Sequence, residues 1–345
     1  MRTTCAIALF CAAALAAAAV CAPALAADAP LRLLRRIDVP GFEGDFDHFA
    51  TDIKGNRLFL AGEDKGTLEV FDLKSGTHVR TVNGLEAPHA IHYMPGKDRL
   101  LITNSGEGLT KVLDGRTYKV VDTIRLAPGA DVLGYDASTR RAWIVTGGKN
   151  AGTKLGHTIV SVIDPVTGAR FGDVQFDTDF TEGIAAERNG SRVFINVAGM
   201  NSVAVVDKTS LKVTAMWPVR EGDNNAPIAL DEAGHRLFVV TRKPFRFVAI
   251  DTLTGASVAS LEAPPRTNEL VYDRANRRIY LTGDDYISVI RQDGADKYGE
   301  IARIKSDKGA KTALLVPELD LLYVAVAGNG TTTAGVLQYA VLPSR

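Results

Sequence analysis

The chain has 345 residues, 40 Lys+Arg against 40 Asp+Glu, 46% hydrophobic residues and three cysteines. That apolar content is ample for a packed core and excludes wholesale disorder. A formal net charge of zero lacks the basic excess of a polyanion binder, so no general nucleic-acid binding is expected.

The first segment reads as an address. Arg2 gives a charged start, an Ala/Leu-rich run extends to Val20, and Ala24-Leu25-Ala26 supplies a small-residue cleavage site. These are the three parts of a secretory signal peptide. The expectation is a signal peptide over 1–26 and a single domain over 27–345, periplasmic or secreted. The run is near the length of a membrane span, so an anchor is the rival reading. The Ala-x-Ala site favours cleavage, and no membrane span is then expected. Cys5, Cys11 and Cys21 all leave with the segment, so the mature chain has no thiol, disulfide or cysteine metal ligand.

Beyond it one pattern recurs. The strands Arg57-Leu58-Phe59-Leu60, Arg99-Leu100-Leu101-Ile102, Arg141-Ala142-Trp143-Ile144, Arg192-Val193-Phe194-Ile195, Arg236-Leu237-Phe238-Val239, Arg278-Ile279-Tyr280-Leu281 and Leu321-Leu322-Tyr323-Val324 are versions of one another. The residues Leu58, Leu100, Ala142, Val193, Leu237, Ile279 and Leu322 anchor the copies at spacings of 42, 42, 51, 44, 42 and 43. Polar turns such as Lys54-Gly55-Asn56 precede the anchors. A second apolar strand follows, ending in Asp at Asp72, Asp114, Asp164, Asp207 and Asp251, with Arg291 in the sixth copy. Then come a turn such as Val166-Thr167-Gly168 and a further strand.

Four short strands every ~42 residues describe a β-propeller blade, and no segment reads as a long amphipathic helix. The expected fold is an all-β seven-bladed propeller with four-stranded antiparallel blades. The last copy stops after its third strand, Leu337–Val341, while an unassigned strand, Leu33–Val39, stands at the other end. The N-terminal strand is therefore expected to complete the last blade and close the ring. The Arg before each anchor is expected to pair with backbone or Asp groups between blades.

The repeat resembles that of the YVTN-repeat (YncE-like) β-propeller family of bacterial exported proteins. One copy carries Pro88, Arg99-Leu100-Leu101-Ile102 and Val112-Leu113-Asp114; another carries Pro227, Arg236-Leu237-Phe238-Val239, Ala249-Ile250-Asp251 and Thr254-Gly255. The resemblance covers residues 31–343 and implies fold and export, not a reaction. Trp-Asp endings, a Gly-Gly kelch doublet recurring from copy to copy and sialidase Asp-boxes are absent from the sequence.

Chemistry is expected on the face where the innermost strands begin. Counting eleven residues back from each anchor gives Asp47, His89, Asp131, Glu182, Ala226, Asn268 and Lys311, with His48, His92, Asn225 and Glu269 beside them. Equivalent positions in a propeller point toward one axis, so a polar ring at the channel mouth is predicted. It reads either as the lining of a hydrated channel or as a small-ligand pocket. Asp47, His89, Asp131 and Glu182 are candidate ligands of a divalent metal ion, Ca²⁺, Mn²⁺ or Zn²⁺. The long third spacing adds a Gly/Lys loop over 147–157, a candidate lid bearing Lys149, Lys154 and His157. Arg242-Lys243 and Arg246, in or beside the equivalent loop of the fifth blade, read first as a solvated surface and second as a cationic side of this face for an anion or oligonucleotide.

No Gly-x-Ser-x-Gly elbow and no Cys-x-x-Cys-His haem motif occurs, and Ser105 is a loop serine without an assigned partner. The first functional reading is an exported binding or scaffold propeller presenting this face to a small molecule or a protein partner. The alternatives are a metal-assisted hydrolase, lactonase or lyase at the mouth, and an accessory subunit of an exported redox enzyme. Whether the chain is an enzyme stays open at this level.

Overall fold

Apolar residues at consecutive strand positions need a neighbour on both sheet faces, because successive side chains point in opposite directions. Blade 1 shows how this is met. Leu58 and Leu60 pack with Val316 and Tyr323 of blade 7, while Phe59 and Ala61, one residue out of phase, pack with Ile91, Leu100 and Ile102 of blade 2. The structure, a computed structural model, describes residues 29–106 and 108–343. The signal peptide expected over 1–26 lies outside the described residues.

Seven four-stranded antiparallel sheets form the ring. In blade 1 the strands Phe49–Asp52, Arg57–Gly62, Thr67–Asp72 and Thr77–Asn83 run in order from the channel outward. Blades 2 to 6 repeat this from inner strands Pro88–Met94, Leu133–Asp136, Ile184–Ala186, Ile228–Asp231 and Glu269–Asp273. Blade 7 takes Thr312–Val316, Leu321–Val326 and Gly335–Val341 from the C-terminal end, and its outer strand is the N-terminal Leu31–Asp38. That closing strand pairs antiparallel from Leu31↔Val341 to Asp38↔Gly335, with one irregularity between Leu33 and Arg35. It starts two residues earlier than the sequence pattern suggests. Its Leu31, Ile37 and the following Val39 are buried, which ties the closure to the core.

Each of the seven apolar clusters draws on two adjacent blades. The core is thus a set of inter-blade seams, and no blade buries its faces alone. The repeated Arg stitches the seams. Arg57 donates to the Gly115 carbonyl, Arg141 to Lys208, Arg192 to Thr252, Arg236 to Ala295 and Arg278 to Leu342. In every case the acceptor lies just after the third strand of the following blade. No helix among the described residues is long and apolar enough to cross a membrane.

Candidate functional site

The seven equivalent positions meet at one end of the channel. The backbone N–H groups of Asp47, Asp131, Glu182 and Ala226 donate to Ala61, Val145, Asn196 and Val240, on the second strand of their own blades, at 2.9, 2.9, 2.8 and 3.0 Å. The same ladder bond in four blades sets the four residues at the same depth. Asp47, His89, Asp131, Glu182, Ala226, Asn268 and Lys311 all line one cavity of about 370 Å³. His48 and Glu269 from the predicted set also line it, and so does Lys149 of the long loop.

One side of the cavity is acidic and imidazole-bearing. His89 is buried, with Nδ1 2.7 Å from Asp47 Oδ2 and 3.4 Å from Asp131 Oδ1, and Nε2 3.1 Å from Ser105 Oγ. Burial alone would lower its pKa; Asp131 and Asp47 override that and raise it to about 9. The ring is therefore an imidazolium at neutral pH, donating from both nitrogens. Asp47–His89–Ser105 has the connectivity of a nucleophile relay. Both carboxylates favour the protonated ring, and Ser105 does not line the cavity, so these contacts orient His89.

His48 reaches past blade 7, its Nδ1 3.2 Å from Glu269 Oε2 of blade 6 and its Nε2 3.6 Å from Asp47 Oδ1. Burial again opposes the charge, and Asp47 and Glu269 raise this imidazole to about 10. Glu63 completes this side; burial and the Asp47 charge push its carboxyl up to about 7.

The other side is cationic. Glu182 Oε1 stands 3.5 Å from Arg242 Nη1 and 3.7 Å from Lys149 Nζ. Burial and the Asp131 charge push the Glu182 carboxyl up against the pull of these cations. Lys149 Nζ lies 3.2 Å from the centre of the Phe180 ring, and burial lowers its pKa. Asn150, next to it, bonds Asp131.

Of the predicted metal quartet, Asp47 and His89 belong to the group the structure draws together, and its third member is Glu63. Ligand atoms of Asp47, Glu63 and His89 lie within 4.8 Å of one another. Glu182 is engaged by Arg242 and Lys149, and Asp131 by Asn150 and, at 3.4 Å, by His89.

Four predicted site residues lie off the cavity lining. His92 stacks on Tyr135, with ring centres 4.1 Å apart, and burial pushes its pKa down to about 4. Asn225 is fully buried and donates to Asn196 Oδ1 and the Ser202 carbonyl at 2.8 and 3.0 Å, a packing role inside blade 4. In the long loop Lys154 is exposed and His157 half-buried. The loop is pinned by Gly148 N–H to the His157 carbonyl and Lys149 N–H to the Asp179 carbonyl. Its start forms cavity wall and its tip stands aside.

Glu63, Asn150 and Arg242 line the cavity without belonging to the predicted ring. A signal was present: five residues past the anchors Leu58 and Leu237, where the second strand ends on this same face, stand Glu63 and Arg242.

No protein-family model and no curated protein matches the chain. Solved structures do. A chain of the mitotic checkpoint complex is 16% identical with a TM-score of 0.74, over 99% of both chains. A chain of Kuenenia stuttgartiensis hydrazine synthase is 15% identical with a TM-score of 0.73, over 88% of this chain and 98% of that one. At such identities the likeness shows the fold alone, a seven-bladed β-propeller.

Proposed function

We propose that the chain is an exported binding propeller of the YVTN-repeat type, holding a small polar ligand at its channel mouth. Propellers commonly serve as scaffolds or binding proteins on a rigid ring. The observation that carries the reading is the cavity of about 370 Å³ in which side chains from all seven blades converge, most of them charged or hydrogen-bonding. A volume in that range suits a small molecule. Carboxylates of blades 1, 3, 4 and 6 and cations of blades 3, 5 and 7 line it together, so an occupant meets both signs of charge. Export is supported by the charged, apolar and Ala-x-Ala parts of residues 1–26.

The test is a thermal-shift screen of the mature protein against small polar compounds, with Glu182→Gln and His89→Ala alongside. A compound that raises the melting temperature of the wild type and not of the variants supports the cavity as a site. Equal responses in all three proteins contradict it.

A metal-assisted hydrolase or lyase is the second reading, favoured by the Asp47–Glu63–His89 group, a donor set suited to a divalent ion. Metal analysis of the purified protein separates the two readings: a stoichiometric ion lost in Glu63→Gln supports the second. A metal-free protein whose melting does not respond to added divalent ions rejects it.

A further inference from the structure

Resting on the channel-mouth reading, we propose that a cleft beside the cavity is an oxyanion subsite, which receives the carboxylate or phosphate group of the cavity's occupant. The cleft has a volume of about 250 Å³ and is lined by Arg242, Phe245, Arg266, Asn268 and Lys311. Three of these five residues are cations and none is acidic. Arg242, Asn268 and Lys311 line the main cavity as well, so one molecule can reach both.

The donors there are mostly unspent. Two guanidinium groups and an ammonium bring about a dozen N–H donors. Arg242 spends one on Asn268 Oδ1 at 2.6 Å and a second, longer one on Glu182 Oε1 at 3.5 Å. Lys311 Nζ spends one on Asp45 Oδ2 at 2.7 Å. Arg266 is half exposed, and its nearest carboxylates, Asp45 and Asp284, stand 3.6 and 3.8 Å away, beyond hydrogen-bond length. Asn268 turns its Oδ1 to Arg242, which leaves its NH₂ group as a further donor. Asp45, Glu182 and Asp284 lie within 4 Å of these cations and are not among the residues lining the cleft, although Glu182 lines the main cavity.

Forked guanidinium donors match the oxygens of a carboxylate or a phosphate. Phe245 offers an apolar wall to the adjoining carbon skeleton. The geometry also restricts the rest of the ligand. Asp47, Glu63 and Asp131 offer acceptor oxygens in the main cavity, which suit hydroxyl or ammonium donors at the other end.

The experiment titrates the mature protein with inorganic phosphate and with acetate, against chloride at matched ionic strength. Thermal shift and calorimetry are the readouts. Wild type gains stability in phosphate or acetate over chloride, and the stronger of the two identifies the group. Arg266→Gln and Lys311→Met each weaken that binding about tenfold, the usual loss of one charged hydrogen bond. Arg303→Gln, an exposed arginine outside both cavities, leaves it unchanged. Circular dichroism checks that Arg266→Gln is folded.

Equal melting of wild type in all three salts, or a wild-type response in Arg266→Gln, overturns the subsite. The failure of the underlying reading looks different. A screening hit abolished by Glu182→Gln and untouched by Arg266→Gln removes the subsite and keeps the channel mouth. The absence of any hit, organic or inorganic, removes both.

Discussion

A buried ion pair at the seam between blades 3 and 4 gives a sharp test of how the ring is held. Asp136 ends the strand Leu133–Asp136, and Lys208 follows the strand Ser202–Asp207. Lys208 Nζ lies 3.1 Å from Asp136 Oδ1, with side-chain exposures of 5% and 1%. It also donates to Ser138 Oγ at 2.9 Å and to the Glu187 carbonyl. Asp136 further accepts from the Ser138 N–H at 3.0 Å, Ser138 Oγ at 2.7 Å and Thr139 Oγ1 at 2.6 Å.

Removing one partner of such a pair leaves an uncompensated buried charge and costs about 3–5 kcal/mol. In Lys208→Met the carboxylate keeps three other donors, which places the cost near the lower end, ~3 kcal/mol. Asp136→Ala strands the ammonium and frees Ser138 and Thr139, which places it near ~5 kcal/mol. At roughly 2 °C per kcal/mol for a chain of this length, melting falls by ~6–10 °C. The double variant Lys208→Met, Asp136→Ala buries no charge and costs less than the two single changes together, by about 1–3 kcal/mol.

Ser138, Thr139 and Lys208 hold the Asp136 carboxyl below its ordinary value, against the opposing effect of burial. A depressed carboxyl contributes stability above its unfolded pKa and loses it as pH falls through the folded one. The penalty of Lys208→Met therefore shrinks below about pH 4. Guanidinium denaturation at pH 7 and pH 3 measures both effects. A Lys208→Met cost under 1 kcal/mol, or strict additivity in the double variant, refutes the reasoning.

The other expectations concern closure, stitching and pH. A chain lacking residues 28–40 melts well below wild type because Gly335–Val341 loses its outer partner; unchanged melting contradicts ring closure. Ile37→Ala, at a buried position of that strand, costs about 2–5 kcal/mol in chemical denaturation. Arg192→Ala removes the bond from blade 4 to the Thr252 carbonyl and the pair with Glu187, at a cost of about 1.5–3 kcal/mol; a loss within 0.5 kcal/mol assigns the repeated Arg to solubility. In metal-free buffer, stability falls as pH rises from about 4.5 to 7 through Glu63, whose folded carboxyl binds protons more tightly than the unfolded one. It falls again from about 6.5 to 10 through His89 and His48, whose raised folded values mean their contribution is complete only below the unfolded imidazole pKa. Glu63→Gln removes the first fall; an alkaline stability optimum in wild type contradicts the charge assignments.

The ring was legible because a blade cannot bury both faces alone, so every copy must carry the same doubly apolar strand and the same turns. Leu58-Phe59-Leu60 states the requirement directly: one residue for one neighbour, the next for the other. The missing strand after Val341 and the spare one before Val39 made closure readable as well. The depth of Asp47, Asp131 and Glu182 followed from the same register.

Side-chain direction was less legible. His92 and Asn225 are close in sequence to ring positions, yet one turns to Tyr135 and the other into the interior of blade 4. A count from an anchor fixes where a backbone atom sits and not which of two faces its neighbour takes. Glu63 and Arg242 escaped the ring because they come from the opposite end of a different strand, and only the returning second strand brings them to the mouth. Lys208 and Asp136 were invisible for a related reason. Each looks like an ordinary turn residue, and only the packing of two blades buries them together.

The most direct measurement is a crystal structure of residues 27–345 soaked with the strongest compound from the thermal-shift screen. Density inside the channel mouth, within hydrogen-bond reach of Asp131, Glu182 or Asn268, is the expected result. Density confined to the opposite face of the ring, for a compound whose stabilising effect survives Glu182→Gln, contradicts it.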